Sequence, residues 1–307
     1  MPAGSVALLG LGFAGSQLHL PALQRLHTEV ALLVDPDPST HRHAGGAPTS
    51  TDWREVFASS ASAVIVATPP ETHAVLVPEL LRSGRHVLVE KPMTTSAADA
   101  VMILDTEAAA GRVLRVGFAY RFHPLWRRVR RLVEHRRITP PLRITARFTG
   151  HASDPVLDLA PHHVDLVSWL LGAAPVRAES RTGSDIAVTW ADESVLCGSY
   201  GAGAPEDRVI LDSAQGRIEV DRLNGRRLRC SLGLRAGAPV PGLAVQKALW
   251  PTWERSFLSS DRAFLAASLE QSAPLGASAR DGARAVRVSE ALLRSRVSGG
   301  PEPVAER

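Results

Sequence analysis

At 307 residues with 45% apolar side chains, the chain is long enough for about two domains of ordinary size with filled cores. No run approaches the roughly 18 uninterrupted apolar residues of a spanning helix, and the N-terminus lacks a basic leader before a cleavable apolar segment, so a cytoplasmic protein without membrane contact is expected. A formal charge of +4 and a pI near 9.6 raise nucleic acid as a partner, whereas two cysteines, Cys197 and Cys230, make no disulfide framework and no metal spacing and are expected in the core.

The first third alternates β-rich apolar runs with helical stretches. Ser5 to Leu9 reads as a strand, a helix follows to about His27, Val30 to Val34 is a second strand, and Ala63 to Val66 and Val87 to Val89 are two more. That rhythm predicts parallel β-α-β units. Ser96 with Asp99 three residues on is a capping-box pattern ahead of Val101, Met102 and Leu104, and Val113 to Phe118 closes this half as a strand. Seven arginines stand between Arg121 and Arg137, but Leu125, Val129, Leu132 and Val133 keep a helical apolar stripe among them. The charges therefore read as a solvated helix face, and beyond Phe122 and Trp126 no aromatic side chains are at hand for base stacking, so no nucleic-acid partner is expected.

Past Pro140-Pro141 the texture changes to strand-like segments at Arg143 to Phe148, Ile186 to Trp190, Ser194 to Tyr200, Arg208 to Leu211 and Arg217 to Val220, which predict a largely antiparallel sheet. One helix interrupts it, from about Pro161 to Leu171, with a proline in its first turn and Gly172 as its stop. Helices near Arg255 to Glu270 and Ser278 to Val297 complete the chain, and the tail from Gly299 is expected to fray.

Three constellations carry chemistry. Gly10-Leu11-Gly12-Phe13-Ala14-Gly15 follows the first strand and opens the first helix, where backbone N–H groups and the positive helix end can meet a dinucleotide pyrophosphate. Asp35 ends the second strand, twenty residues after Gly15, and can accept hydrogen bonds from the adenosine ribose. A carboxylate there repels a 2′-phosphate, and Pro36 rather than an arginine follows it, which favours NAD, although Arg42 lies close enough in sequence to keep NADP open. The segment Ala67-Thr68-Pro69-Pro70-Glu71-Thr72-His73 ends a strand and starts a helix, at the edge where an open parallel sheet places ligands; His73 itself reads either as a locally packed helix-start residue or as a proton-transfer group.

The second constellation is Glu90-Lys91-Pro92. Lys91 is one of two lysines against thirty-three arginines. A lysine amine, unlike a guanidinium, can shift its pKa and exchange a proton or hydrogen-bond a reacting oxygen. The third is Asp158-Leu159-Ala160-Pro161-His162-His163-Val164-Asp165, where Asp158, His162 and Asp165 fall at i, i+4 and i+7 on one side of a helix start. A carboxylate can orient the imidazole and stabilise its charged form, so His162 is a candidate for proton transfer, with His163 as its dispensable neighbour about 100° round the helix. No third strong ligand can be placed there, so no metal is expected.

In these motifs, taken in order from Val6 to about Val297, the chain resembles the glucose-fructose oxidoreductase and inositol dehydrogenase family. The resemblance implies an α/β fold with an N-terminal Rossmann dinucleotide-binding domain, here residues 1–120. It further implies a C-terminal α+β domain with a large, mostly antiparallel open sheet, here residues 121–307, for substrate and oligomerisation. By residue-wise carry-over it implies Lys91, Asp158 and His162 as the catalytic set with Asp165 in support. Gly10, Gly12, Phe13, Ala14, Gly15, Asp35, Thr68, Pro69, Pro70, His73, Glu90 and Lys91 would then line NAD, or NADP. It also implies hydride transfer to or from a hydroxyl or keto carbon of a sugar, cyclitol or related polyol, in a homodimer or homotetramer. Two departures stand out: His151 to Leu157 replaces the family's glycine-rich loop, and Ala160 stands where glycine is usual. They keep open an imine or other non-sugar carbonyl reductase, with a non-catalytic cofactor-sensing protein as a further alternative.

Overall fold

In a computed structural model, residues 4–150, 154–221, 227–232, 252–269, 272 and 275–305 are described. Six strands dominate the first part: β1 Ser5–Leu9, β2 Val30–Val34, β3 Thr49–Ser50, β4 Ala61–Val66, β5 His86–Val89 and β6 Leu114–Val116. Helices α1 Leu20–Arg25, α2 His73–Arg82 and α3 Ala97–Ala110 lie between them. Then come α4 Pro124–Glu134, β7 Arg143–Thr149, α5 Pro155–Leu171, and strands β8 Pro175–Ser180, β9 Asp185–Trp190, β10 Val195–Gly201, β11 Glu206–Ser213, β12 Gly216–Asp221 and β13 Arg227–Leu232. The last elements are α6 Thr252–Leu269, β14 Ala277–Ser278, α7 Ala279–Ser298 and β15 Glu302–Pro303.

Two compact units result, residues 1–122 with 253–286, and residues 123–252 with 287–307. Where two consecutive domains are expected from the sequence, the chain in fact returns to its first unit after leaving the second.

The first unit is built on a sheet of order β14-β6-β5-β4-β1-β2-β3, parallel throughout except for β14 against β6. Its central strands are apolar on both faces because both faces are covered. Ala7, Leu9, Val64, Val66, Val87 and Val89 pack with Val77, Leu80 and Ile103 of α2 and α3 and with Ala279 and Ala283 of α7. The alternate residues Val6, Leu8, Ile65 and Leu88 pack with Leu20 and Leu23 of α1 and with Phe264 and Leu265 of α6. The capping box is present: Ser96 accepts the Asp99 N–H at 3.1 Å, and Gly111, at φ 60°, ends α3 in the left-handed region.

The second unit carries a sheet of order β13-β12-β11-β7-β10-β9-β8-β15. Only β7 and β10 are parallel; every other pair is antiparallel. Helix α5 packs on β7, β9 and β10. It starts six residues earlier than the sequence suggests. Asp154 is its N-cap, accepting from the N–H groups of Val156 and Leu157, and Pro155 takes the first helical position, so Pro161 lies inside the helix. The tail does not fray, because Glu302 and Pro303 pair with Ala178 and Arg177 of β8 and Val304 is buried behind them. Helix α4 buries Trp126 and Val129 and exposes Arg127, Arg128 and Arg131, as a solvated face requires. Cys197 is half-buried on the strand face away from the core, which corrects its expected core placement; the side chain of Cys230 lies outside the described residues. Among the described residues no helix is long and apolar enough to cross a membrane.

Candidate active site

The glycines after β1 divide three tasks among them. Gly10 has φ +90°, and a Cβ there would come within 2.5 Å of the Ala67 carbonyl oxygen, so it makes the tight turn beside β4. Gly15 has its own Gly10 carbonyl where a Cβ would stand, which lets helix and strand close together. Gly12 is exposed and has no atom within 4 Å of that position. Open space over a glycine backbone at a helix start is what a diphosphate needs to reach N–H groups, so the loop fits a dinucleotide. Exposed Phe13 and half-buried Ala14 complete the turn. The helix begins with a widened turn over Gly15–His19, in which the Leu20 N–H donates to the Gly15 carbonyl five residues back.

Asp35 reaches into this loop. One carboxylate oxygen accepts the Leu11 N–H at 2.7 Å and the other accepts the Asp37 N–H at 3.0 Å. That locks the acid at the C-terminal end of β2 beside the glycine turn. Arg42 is exposed and donates to the Ser39 carbonyl at 2.7 Å.

After β4, the Thr68 and Thr72 hydroxyls are 2.7 Å apart, and Thr72 donates to the Pro69 carbonyl, so Thr68, exposed Pro69 and half-buried Pro70 form a firm corner. His73 is fully buried. Its Nδ1 lies 3.0 Å from the Pro92 carbonyl oxygen and its Nε2 3.0 Å from that of Thr68, so its ring ties this corner to the segment after β5. Burial lowers its pKa, with the two carbonyls and the Glu90 charge opposing. The sequence left local packing and proton transfer open for His73; its ring is engaged with backbone on both sides.

Glu90 is buried at the end of β5 and accepts the Lys91 N–H at 3.1 Å, while Lys91 is half-buried. Beneath them lies a group that the sequence reading missed. His19 and Asp261 are buried with Glu90 in one cluster, 242 residues apart in the chain. No local pattern could have paired them; the only signal was a polar pair on otherwise apolar helix faces.

In the second unit, Asp158 sits in the first turn of α5, and its Oδ2 accepts the Asp154 N–H at 3.2 Å. Asp154 is itself held by Arg296 at 2.6 and 3.1 Å, and that guanidinium, against some burial, holds its carboxyl below the ordinary value. His162 and Asp165 are buried on the same helix, with the Phe148 ring 5.9 Å from His162. His163, read from the sequence as a dispensable neighbour, is fully buried: its Nδ1 is 3.1 Å from the Tyr200 hydroxyl and its Nε2 3.2 Å from Asp207. Of the segment that replaces the glycine-rich loop, residues 151–153 lie outside the described residues, and Ala160 is buried.

The profile of an oxidoreductase family with an NAD-binding Rossmann fold matches residues 5–118. Inositol 2-dehydrogenase 1 of Saccharopolyspora erythraea is 32% identical over 262 residues, covering 79% of this chain and 77% of that protein. Among solved structures, an oxidoreductase domain protein from Kribbella flavida superposes with a TM-score of 0.84 at 20% identity over 100% of both chains. GenD2 from gentamicin A biosynthesis, solved with NAD, gives 0.82 at 23% identity over 98% of this chain and 96% of its own. At these identities the two structures speak for the fold.

Proposed function

Because the chain belongs to the oxidoreductase family with an NAD-binding Rossmann fold, we propose that it moves a hydride between the cofactor and a hydroxyl or keto carbon of a sugar, cyclitol or related polyol. It is an oxidoreductase, and NAD is its cofactor. The observation that supports the substrate class is the likeness to an inositol 2-dehydrogenase over most of both chains.

In this reading the first unit holds the dinucleotide. Gly10, Gly12, Phe13, Ala14 and Gly15 receive the diphosphate, Asp35 the adenosine ribose, and Thr68, Pro69, Pro70, Glu90 and Lys91 line the nicotinamide end, with fully buried His73 bracing the Thr68 corner behind them. The bound nicotinamide supplies the hydride acceptor or donor. In the oxidation direction His162 accepts the hydroxyl proton at its ring, Lys91 hydrogen-bonds the same oxygen and stabilises its developing negative charge, and Asp158 orients substrate or imidazole. Asp165 supports His162 from the next turn.

The second unit presents the substrate side and the association surface of a homodimer or homotetramer. On its uncovered sheet face Ala187, Cys197, Thr145 and Ile210 stand in register as a central row. Rows with Asp185, Ser199, Arg147 and Arg208 on one side and Arg143, Asp212 and Arg217 on the other flank it, an apolar strip with a charged rim. We place the protein in the cytoplasm, where its two cysteines need no oxidising compartment.

The test is a screen of NAD reduction and NADH oxidation over polyols, sugars and keto sugars, followed by single-turnover rates for variants. His162→Asn is expected to slow hydride transfer about 100-fold or more. Lys91→Arg should be nearly as damaging as Lys91→Ala while NAD still binds, because the guanidinium fork cannot occupy the point of the amine. Asp35→Ala should narrow the preference for NAD over NADP. No turnover with any member of the panel would remove the substrate class, and an unimpaired His162→Asn would remove the catalytic assignment.

A further inference from the structure

The cluster beneath Lys91 has a definite proton count. His19, Glu90 and Asp261 are 1%, 8% and 0% exposed. His19 Nδ1 lies 3.0 Å from each oxygen of Asp261, and Nε2 lies 3.3 Å from Glu90 Oε1. An ionised carboxylate can only accept, so both ring nitrogens must donate and the imidazole carries two protons. Burial works against that charge, but Asp261 first and then Glu90 outweigh it and push His19 up to about 10. Asp261 in turn is raised by burial, with the His19 charge opposing. The ionisable groups acting on His19 are these two, Asp261 from α6 and Glu90 after β5; the Phe257 ring packs edge-on at 5.1 Å.

Glu90 is pinned on its remaining sides. Its Oε2 takes the Lys91 N–H, and a Cβ on Gly117 would run into its Oε1 and come within 2.6 Å of its Cδ. His73 feels its charge from α2. A continuous chain of donors and acceptors thus runs from Asp261 through His19 and Glu90 to the Lys91 backbone.

We propose that His19 and Asp261 are positioning residues for Lys91: the imidazolium held by Asp261 fixes the Glu90 carboxylate, and Glu90 fixes the backbone from which the Lys91 side chain projects. This rests on the reading of Lys91 as the group that hydrogen-bonds the reacting oxygen. The histidine must be charged for the chain of contacts to hold, so the device works below its pKa and fails as pH rises through it. Loss of the Asp261 charge leaves burial to dominate, and the pH of failure then moves down.

The composition supplies a direct readout, because Lys91 and Lys247 are the only lysines. Protein labelled with ¹³C in lysine gives two Cε signals, and Lys247→Arg assigns them. In Asp261→Asn the Lys91 signal is expected to shift or split and its titration midpoint to move. Turnover on the best substrate of the screen should fall about 100-fold, the scale for misplacing a reacting group by an ångström. NAD affinity, measured by fluorescence titration, should stay within about twofold because the glycine loop is intact. The kcat profile should gain a descending limb near neutral pH that the wild type lacks below about pH 10.

If Asp261→Asn does not fold, the double variant His19→Gln with Asp261→Asn removes the two charges in balance and carries the same measurements except the pH limb, with the same shift in the Lys91 signal expected. A variant with a lower Tm but a wild-type Lys91 signal and titration would overturn the proposal and leave the cluster purely structural. Absence of turnover in the wild type would instead count against the function proposed above, and the lysine signals would still decide the positioning role.

Discussion

Each unit buries a histidine against a carboxylate, and the two differ in what faces the second ring nitrogen. His19 has Asp261 on one side and Glu90 on the other, two groups that can only accept. His163 has Asp207 on one side and the Tyr200 hydroxyl on the other. Burial, then the Asp207 charge, raises the Tyr200 pKa far above its ordinary value, so the phenol keeps its proton and can donate it to Nδ1. The second cluster can be satisfied with a single ring proton and the first cannot. One partner atom thus decides whether the contacts of a buried histidine require two ring protons.

Four substitutions and one change of condition would break or sharpen that contrast. The largest effect is expected for His19→Ala, which leaves two buried carboxylates without their cation; unfolding in urea at pH 7 should show a loss of about 3–5 kcal/mol. Next comes pH. The His19 pKa is raised above its unfolded value of 6.5, so its contribution is fully present below pH 6.5 and is lost as pH rises through about 10. Over that window stability should fall by a few kcal/mol, about 1.4 kcal/mol for each unit by which the folded value exceeds the unfolded one. The slope should vanish in the double variant His19→Gln with Asp261→Asn and survive in Tyr200→Phe.

Glycine substitutions should separate the clusters by consequence. Gly117→Ala pushes a methyl into the Glu90 carboxylate and Gly198→Ala pushes one into the Tyr200 ring. Each should cost about 1–3 kcal/mol by thermal unfolding, but only Gly117→Ala should also lower kcat. Tyr200→Phe should be the mildest, about 1 kcal/mol for one lost hydrogen bond.

What could be read in advance follows from how local each signal is. The glycine turn, Asp35 and the Ser96 cap need only neighbours within a few turns of chain, and all three are where the spacing puts them. The two-sided covering of the parallel strands is written in Leu8-Leu9 and Ile65-Val66, which are apolar at consecutive positions. The start of α5 misled because two prolines six residues apart both suit a first turn; Asp154, capping from the position before Pro155, decides between them. Strand β8 begins with Pro175 and carries Arg177 and Glu179, so its composition hides it, and β15 is two residues long. The His19 and Asp261 pair lay beyond any periodicity argument, since only the folded chain brings α6 to the start of α1.

The order in which the ribosome makes these pieces follows from the return of residues 253–286. Domains usually fold as they emerge, N-terminal first. Here Phe264 and Leu265 of one face of the first sheet and Ala279 and Ala283 of the other are translated only after residues 123–252 of the second unit. A nascent chain that has reached only β13 holds His19 and Glu90 without Asp261, and its β1 to β6 strands have bare apolar patches on both sides. The nucleotide-binding unit is therefore started first but is not complete until residue 286, and the second unit, which still lacks residues 287–307 and their β15 at that point, is completed after it.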